Sequence, residues 1–312
     1  MRNEQTIQLI AIDMDGTLLG SDGQVSERNI ASLRAAEAAG IEIVVATGRR
    51  HCYAMHILRG LKLREANALV SSNGTVIRTI GAELLHRTHM PVATARRICE
   101  HMVDFRSTLV MTFDNVGSDG EDGRGAIVVE NMAVLEATVR RWVKVNEPYI
   151  AEVSPLSDAL GDEPPIQMML CGPIARMREA EAHLLEHPRV TPVGQEAAAD
   201  AELTLHRTVY PERDLCILDV LPAGCSKASA LGKLAELRGI SMQEVMAIGD
   251  NWNDVPMLEA AGRAVVMSNA PDDVKDLAEA RGWTIGSSND EDGVALALEE
   301  ILDATEKAAM VV

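Results

Sequence analysis

Two aspartates one residue apart, in Asp13-Met14-Asp15-Gly16-Thr17, follow directly on the apolar run Ile7 to Ile12. A short apolar run that ends in a glycine turn reads as a buried strand, which puts Asp13 at its carboxyl end. Extended geometry places residues i and i+2 on one side, so Asp13 and Asp15 are expected to face the same space before Gly16 turns the chain. Such a pair can divide labour. One ionised carboxylate attacks phosphorus, while the other protonates the leaving oxygen and later accepts a proton from water. Thr17 is placed to tie its hydroxyl into the loop.

A second acidic cluster, Gly249-Asp250-Asn251-Trp252-Asn253-Asp254, closes another apolar run. Oxygen ligands packed this closely suit Mg²⁺. If Asp13, Asp15, Asp250 and Asp254 converge, four negative charges share one pocket, and a divalent cation with Lys227 would largely cancel them. The whole chain sharpens that need, because 29 Lys and Arg against 47 Asp and Glu leave a formal net charge of -18. A negative field repels phosphorylated substrates, so a site that takes them must be locally inverted. The same field disfavours nucleic acid and anionic membrane as partners.

The elements that must position these residues are legible in part. Ser26 can cap a helix with Ile30 and Leu33 on one face, and Gly40 can stop it. Ile41 to Ala46 then reads as a strand ending at Thr47-Gly48-Arg49, and Ala68 to Ser71 as one ending at Ser72-Asn73-Gly74. Strands resume at Val245 to Ile248, Ala264 to Met267 and Trp283 to Ile285, with helices around Val255 to Ala261 and Pro271 to Ala280. Alternation of this kind argues for a parallel sheet that binds ligands at its carboxyl edge. Between about His86 and Pro222 the pattern changes. Leu109 to Phe113, Ile127 to Val129, Ile166 to Cys171, Leu203 to Arg207 and Leu215 to Leu221 read as strands, separated by two longer helices, Met132 to Val145 and Ile174 to Glu186. The acidic, glycine-rich Gly117 to Gly125 reads as an exposed hairpin loop. At 312 residues, the chain accommodates an α/β domain with an α+β domain inserted into it.

Asp13-Met-Asp-Gly-Thr, Thr47-Gly-Arg, Ser72-Asn-Gly, Lys227 and Gly-Asp250-Asn-Trp-Asn-Asp254 occur in the order found in haloacid dehalogenase (HAD) superfamily phosphatases, and the chain resembles the Cof-type subfamily. Asn269-Ala-Pro-Asp-Asp-Val-Lys and Asn289-Asp-Glu-Asp-Gly-Val are similar to that subfamily's C-terminal signatures. The resemblance implies a Rossmann-like parallel-sheet core, residues 1–86 and 223–312, with an inserted α+β cap, residues 87–222, that sets substrate specificity. It further implies that Asp13 is the nucleophile and Asp15 the general acid and base. Mg²⁺ would be held by Asp13, the Asp15 carbonyl and Asp250. Met14, through its backbone, together with Thr47, Gly48, Lys227 and Asn253, would cradle the phosphoryl group, and Asp254 would support the metal site from behind. The segment Gly224-Cys-Ser-Lys-Ala departs slightly from the family pattern at Cys225 and Ala228, and Lys227 is expected to keep its role.

The activity expected is Mg²⁺-dependent hydrolysis of a small phosphorylated metabolite, a sugar phosphate or a nucleotide-related phosphate, with the cap closing over the site. A phosphoryl mutase or transferase using the same aspartate is the rival enzyme, and a phosphometabolite sensor the non-catalytic one. Other residues have plainer readings. Arg49 can bridge carboxylates as readily as touch substrate, Asn73 sits in a strand-end turn, and Trp252 is expected to be exposed near the substrate entrance. His183 and His187, four apart on a helix, are read as solvated, and His86 and His89 as linker residues. Five scattered cysteines without a CxxC pair fit a reducing cytoplasm, and Cys225 reads as a small buried thiol. The N-terminal residues lack the pattern of a signal peptide, and no apolar run approaches a membrane span.

Overall fold

An apolar run such as Leu9 to Ile12 makes a stable strand only if both of its faces are covered. The computed structural model, which describes residues 6–117, 120–161, 163–195 and 200–309, shows how this is done. The chain opens with β1 (Leu9–Asp13), α1 (Glu27–Ala38), β2 (Glu42–Ala46), α2 (His51–Leu61), β3 (Ala68–Ser71), β4 (Val76–Thr79) and β5 (Leu84–Arg87). A middle segment follows with α3 (Val92–His101), β6 (Leu109–Thr112), β7 (Ile127–Val129), α4 (Met132–Asn146), β8 (Ile150–Glu152), β9 (Gln167–Gly172), α5 (Ile174–Leu185), β10 (Val190–Pro192), β11 (Leu203–Tyr210) and β12 (Leu215–Pro222). The chain continues through α6 (Lys227–Arg238), β13 (Val245–Gly249), α7 (Val255–Ala260), β14 (Arg263–Val266), α8 (Asp272–Arg281), β15 (Thr284–Ile285) and α9 (Gly293–Ala309).

Two compact units result, one formed by residues up to Leu85 and from Lys227 onward, the other by His86–Ser226. The second junction falls immediately before Lys227 and not after Pro222. Gly224 donates its N–H to Thr204 Oγ1 at 3.0 Å, and the Cys225 carbonyl lies 3.0 Å from His206 Nε2, so both residues are held to β11.

In the first unit, eight strands form a sheet in the order β15-β14-β13-β1-β2-β3-β4-β5. Pairing is parallel from β15 through β3, and β4 turns back antiparallel to β3. Alternate residues serve opposite faces. Ile10, Ile12, Ile43 and Val45 pack with Leu33 of α1, Leu58 of α2 and Leu298 of α9. Leu9, Ala11, Val44 and Ala46 pack with Leu231 of α6, Leu258 of α7 and Val274 of α8. The expected cap and stop of α1 are present: Ser26 accepts from the Asn29 N–H at 3.1 Å, and Gly40 takes a φ of +89°. The antiparallel pair β3–β4 was not legible in the sequence. Four-residue Val76–Thr79 is too short to establish a period.

In the second unit, seven strands run in the order β10-β11-β12-β9-β6-β7-β8. Helices α3 and α5 cover one face through Ile98, Cys99, Met177 and Leu184 against Met111, Met168, Leu170 and Leu218. Helix α4 covers part of the other, with Leu135 and Val143 on Val110, Ile127 and Ile150. The sequence pattern suggests two helices here, whereas the unit has a third, α3, whose buried face is only Thr94, Ala95, Ile98 and Cys99. His86 lies at the junction itself, in β5, which runs from the first unit into the second, and its Nε2 is 3.2 Å from Thr88 Oγ1. The expected hairpin loop at Gly117 to Gly125 includes two residues, 118–119, outside those described. Around them, Gly117 donates to the Glu121 carbonyl at 2.8 Å, and Val116 bridges Asp122 antiparallel. Among the described residues, no helix is long and apolar enough to cross a membrane.

The reading of His187 as solvated is corrected by α3, against which it is buried, whereas His183 stays partly exposed while its ring also packs on α3. The rings of His101 and His183 stack with centroids 4.2 Å apart and planes within 10°, and His187 meets His101 edge-on at 5.1 Å. His101 Nε2 lies 2.7 Å from the His183 carbonyl and His183 Nε2 lies 2.8 Å from that of His101, so each ring donates to the other's backbone. Two helix C-termini are thereby tied together by mutual capping of their terminal carbonyls. Stacked rings direct their in-plane lone pairs along nearly parallel planes, which keeps them from converging on one metal ion without a ring rotating.

The carbonyl of His101 and then the carboxylate of Glu186, 2.9 Å from Nδ1, raise the pKa of His183. A raised folded-state value means stability present in acid and lost as pH rises through that value. A His183→Gln variant should therefore melt below the parent by a margin that is greatest in mild acid and shrinks toward alkaline pH. Paired thermal melts across that range test this, and a margin that grows with pH would refute it.

Candidate active site

Strands β1 and β13 are parallel neighbours, with Ile12 opposite Ile248, so both deliver their following acidic residues to the same sheet edge. Asp13 and Asp250 thereby meet. Glycine makes the close approach possible: a Cβ on Gly16, whose φ is +85°, would lie 2.5 Å from Asp250 Oδ2, and one on Gly249 would lie 2.6 Å from Asp254 Cβ. Thr17 donates its hydroxyl to Asp250 Oδ1 at 2.7 Å, which joins the two acidic loops directly.

Lys227, the first residue of α6, is fully buried and donates to Asp13 Oδ1 and, at 2.6 Å, to Asp254 Oδ1. The other oxygen of Asp254 accepts from the Asp250 and Asn251 N–H groups, each at 3.1 Å. Asp254 is thus engaged through both oxygens, holding the lysine with one and the 250–251 turn with the other. Carboxylate oxygens of Asp13, Asp250 and Asp254 all lie within 4.8 Å of one another. Burial, and then repulsion from Asp254, pushes the Asp13 carboxyl well above the ordinary range, with Lys227 opposing. The same two causes carry Asp250 up to about 7, against the pull of Thr17 and Lys227. Burial alone would lower Lys227, but Asp13 and Asp254 outweigh it and hold the ammonium charged.

This arrangement fits a divalent cation. With all three carboxylates ionised, one ammonium leaves two negative charges uncompensated; that cost is what pushes Asp13 and Asp250 toward the neutral form, and a divalent cation would relieve it. Asp13 and Asp250 are the carboxylates best able to face an ion, since Asp254 is committed to the lysine and the turn.

Asp15 lies near enough to Asp13 and Asp250 to push both upward, as convergence requires, but strand geometry is not what orients it. Strand β1 ends at Asp13, so the two-residue alternation does not set the direction of Asp15. Arg49 does: its Nε and Nη2 donate to the two Asp15 oxygens at 2.8 and 2.6 Å, and its guanidinium lies 4.6 Å from the centre of the Tyr53 ring. The Asp15 side chain keeps 43% of its surface exposed, whereas Asp13 as a residue keeps 4%. Arg49 thus bridges a carboxylate.

The loops after β2 and β3 are laced together. Thr47 receives the Asn73 N–H on its carbonyl at 3.0 Å, and Ser72 donates to the Arg49 carbonyl at 2.9 Å. A Cβ on Gly48 would lie 3.2 Å from the Asn73 amide, so glycine lets that side chain come close. Met14 buries its side chain in the core, which leaves only its backbone for the site. Asn253 is half-buried in the turn that carries Asp250 and Asp254. Trp252 is 39% exposed, as its polar neighbours suggest, and its indole N–H donates to Asp273 at 3.1 Å. Asn269 and Asn289 also reach the Asp15 loop, a contact that spacing alone could not reveal across some 250 residues.

A family model for haloacid dehalogenase-like hydrolases matches residues 10–298, nearly the whole chain. The chain belongs to that family and is an enzyme of it. Phosphatase YwpJ of Bacillus subtilis is 31% identical over 310 residues, covering 95% of this chain and 100% of that protein. The 5-amino-6-(5-phospho-D-ribitylamino)uracil phosphatase YwtE of the same organism is 28% identical over 307 residues, covering 95% and 98%. In three dimensions the chain is similar to a haloacid dehalogenase-like hydrolase from Bacteroides thetaiotaomicron, with a TM-score of 0.73, 27% identity and coverage of 95% and 100%.

Removing the buried ammonium should be severe. A Lys227→Met variant is expected to lose about 3–5 kcal/mol of stability, the usual result of leaving buried partners uncompensated. Denaturant unfolding in the presence of a chelator measures it, and a loss below about 1 kcal/mol would mean that the carboxylates do not depend on Lys227.

Proposed function

We propose that this hydrolase cleaves small phosphomonoesters, with Asp13 as nucleophile, Asp15 as proton donor and acceptor, and Mg²⁺ as cofactor. The observation that carries this reading is Asp13 itself: a buried carboxylate at the carboxyl end of a central parallel strand, paired with Lys227 and beside Asp250. An Asp13 oxygen attacks phosphorus as the bond from phosphorus to the ester oxygen breaks, and Asp15 gives its proton to that departing oxygen. Water then attacks the phosphorus of the acyl phosphate and yields its proton to Asp15, and inorganic phosphate leaves with Asp13 restored.

During in-line transfer, negative charge spreads over the equatorial phosphoryl oxygens. Lys227, Thr47, Asn253 and the backbone N–H groups of Met14 and Gly48 are assigned to oppose it. Asp254 acts from behind by holding Lys227 and the turn at 250–251. Mg²⁺, when held by Asp13, Asp250 and the Asp15 carbonyl, supplies the charge that lets an anionic phosphate approach these carboxylates. Selection among leaving groups is assigned to the inserted unit, since the residues grouped around Asp13 all belong to the other one. The relatives support the reaction class, because both are named phosphatases and one is named for a small phosphorylated metabolite.

An Asp13→Asn variant should lose phosphate release by more than about 10³-fold on a metabolite panel while retaining its fold. Acid quench of the parent with labelled substrate should place the label on Asp13, and a label elsewhere would sink the assignment. Magnesium is expected to stabilise the parent by about 2.7 kcal/mol at roughly a hundred times its dissociation constant. That gain should vanish in Asp250→Asn, and an equal gain in both proteins would remove Asp250 from the ligand set.

A further inference from the structure

Two late segments that share the family's pattern, those beginning at Asn269 and Asn289, have no part in the chemistry described so far. Each converges on the loop that follows the nucleophile. Asn269 Nδ2 donates to the Gly16 carbonyl at 2.8 Å. Its own side-chain oxygen accepts the Asn289 N–H at 3.0 Å, and Asn289 Nδ2 donates to the Leu19 carbonyl at 2.8 Å. One residue on, the Asp290 carboxylate accepts the Ser21 N–H at 2.7 Å. A relay of two asparagines thus grips the loop at residues 16 and 19.

Both grips lie next to Asp15. Gly16 is its neighbour in sequence, and Leu19 is its bridge partner across the turn. Asp13 needs no such help, because strand β1 and Lys227 already fix it. Asp15 stands outside that strand, and its half-exposed carboxylate is held from two sides, at its tip by Arg49 and at its backbone by the loop. A left-handed glycine at 16 makes that backbone intrinsically free; Thr17 on Asp250 and the Leu18 and Leu19 N–H groups on the carbonyls of residues 13 and 14 restrain it from within, and the asparagines restrain it from outside.

We infer that Asn269 and Asn289 are positioning residues for Asp15 in its role as proton donor to the leaving group. The inference rests on the phosphatase reading above. It gives the two segments a specific role, in which the pair holds the loop so that the Asp15 carboxyl meets the departing oxygen. Misplacement of a general acid costs most where the departing oxygen is strongly basic, and little where it leaves readily as an anion.

The test compares kcat/KM, which reports the first phosphoryl transfer, for an alkyl phosphate and for p-nitrophenyl phosphate with saturating Mg²⁺. Asn269→Ala is expected to lower the alkyl value by about 10- to 100-fold and the aryl value by less than about 3-fold. Asn289→Ala, which removes the second grip, should show the same asymmetry and provides the reading if Asn269→Ala fails to fold. In an Asp15→Asn background, the additional alkyl-specific loss should disappear. Equal losses on both substrates would assign the asparagines a merely structural role and overturn the inference while leaving the phosphatase reading intact. An alkyl-specific loss that persists without Asp15 would also overturn it. A parent inactive on both substrates and across the metabolite panel would overturn the phosphatase reading and this inference together.

Discussion

Everything at the candidate site depends on a buried charge imbalance. Asp13, Asp250 and Asp254 lie within 4.8 Å of one another in the interior, with Lys227 as their ammonium partner. Taking carboxylates out of water is unfavourable unless charge and hydrogen bonds compensate. The fold arranges that compensation in layers: α6 begins at Lys227, the turn at 250–251 donates two backbone N–H groups to Asp254, and Thr17 donates to Asp250. What remains uncompensated is the charge of one divalent cation.

The parallel sheet is what allows the cluster to form. Adjacent β1 and β13 end at one edge, and α6 begins at Lys227, which reaches that edge. Close approach of the two acidic loops requires the absence of a side chain at Gly16 and Gly249, where a methyl group would collide with Asp250 and Asp254. Asp15, two residues beyond Asp13, belongs to a different regime. It is held by Arg49 at its carboxylate and by the asparagine relay along its backbone, and it stays accessible to solvent. A buried carboxylate at 13 beside an accessible one at 15 is the division of labour that the proposed phosphoryl transfer would call on.

The inserted unit shows how side chains with no part in this chemistry organise a domain. Helices α3 and α5 pack on one sheet face through Ile98, Cys99, Met177 and Leu184, and their ends are joined by two histidines that cap each other's carbonyls. The spacing of His183 and His187 invites a metal reading or a solvent reading. What the spacing leaves out is the shared neighbour of both rings, His101, which is 82 residues from His183 in the chain.

By itself, the sequence determined the local chemistry: acidic residues after apolar runs at 13 and 250, glycine where the chain must turn, the serine cap at 26, and a parallel-sheet core interrupted by a second unit. These features are legible because they depend on neighbours within a few residues. Short Val76–Thr79 and the weakly apolar α3 were not, since their burial comes from distant partners. Tertiary structure alone decided that Lys227 spans Asp13 and Asp254, that Arg49 takes Asp15, and that Asn269 and Asn289 hold the loop between them. The physical reason is that hydrogen bonds and ion pairs depend on distance in space, and these join residues 27 to 270 positions apart in the chain.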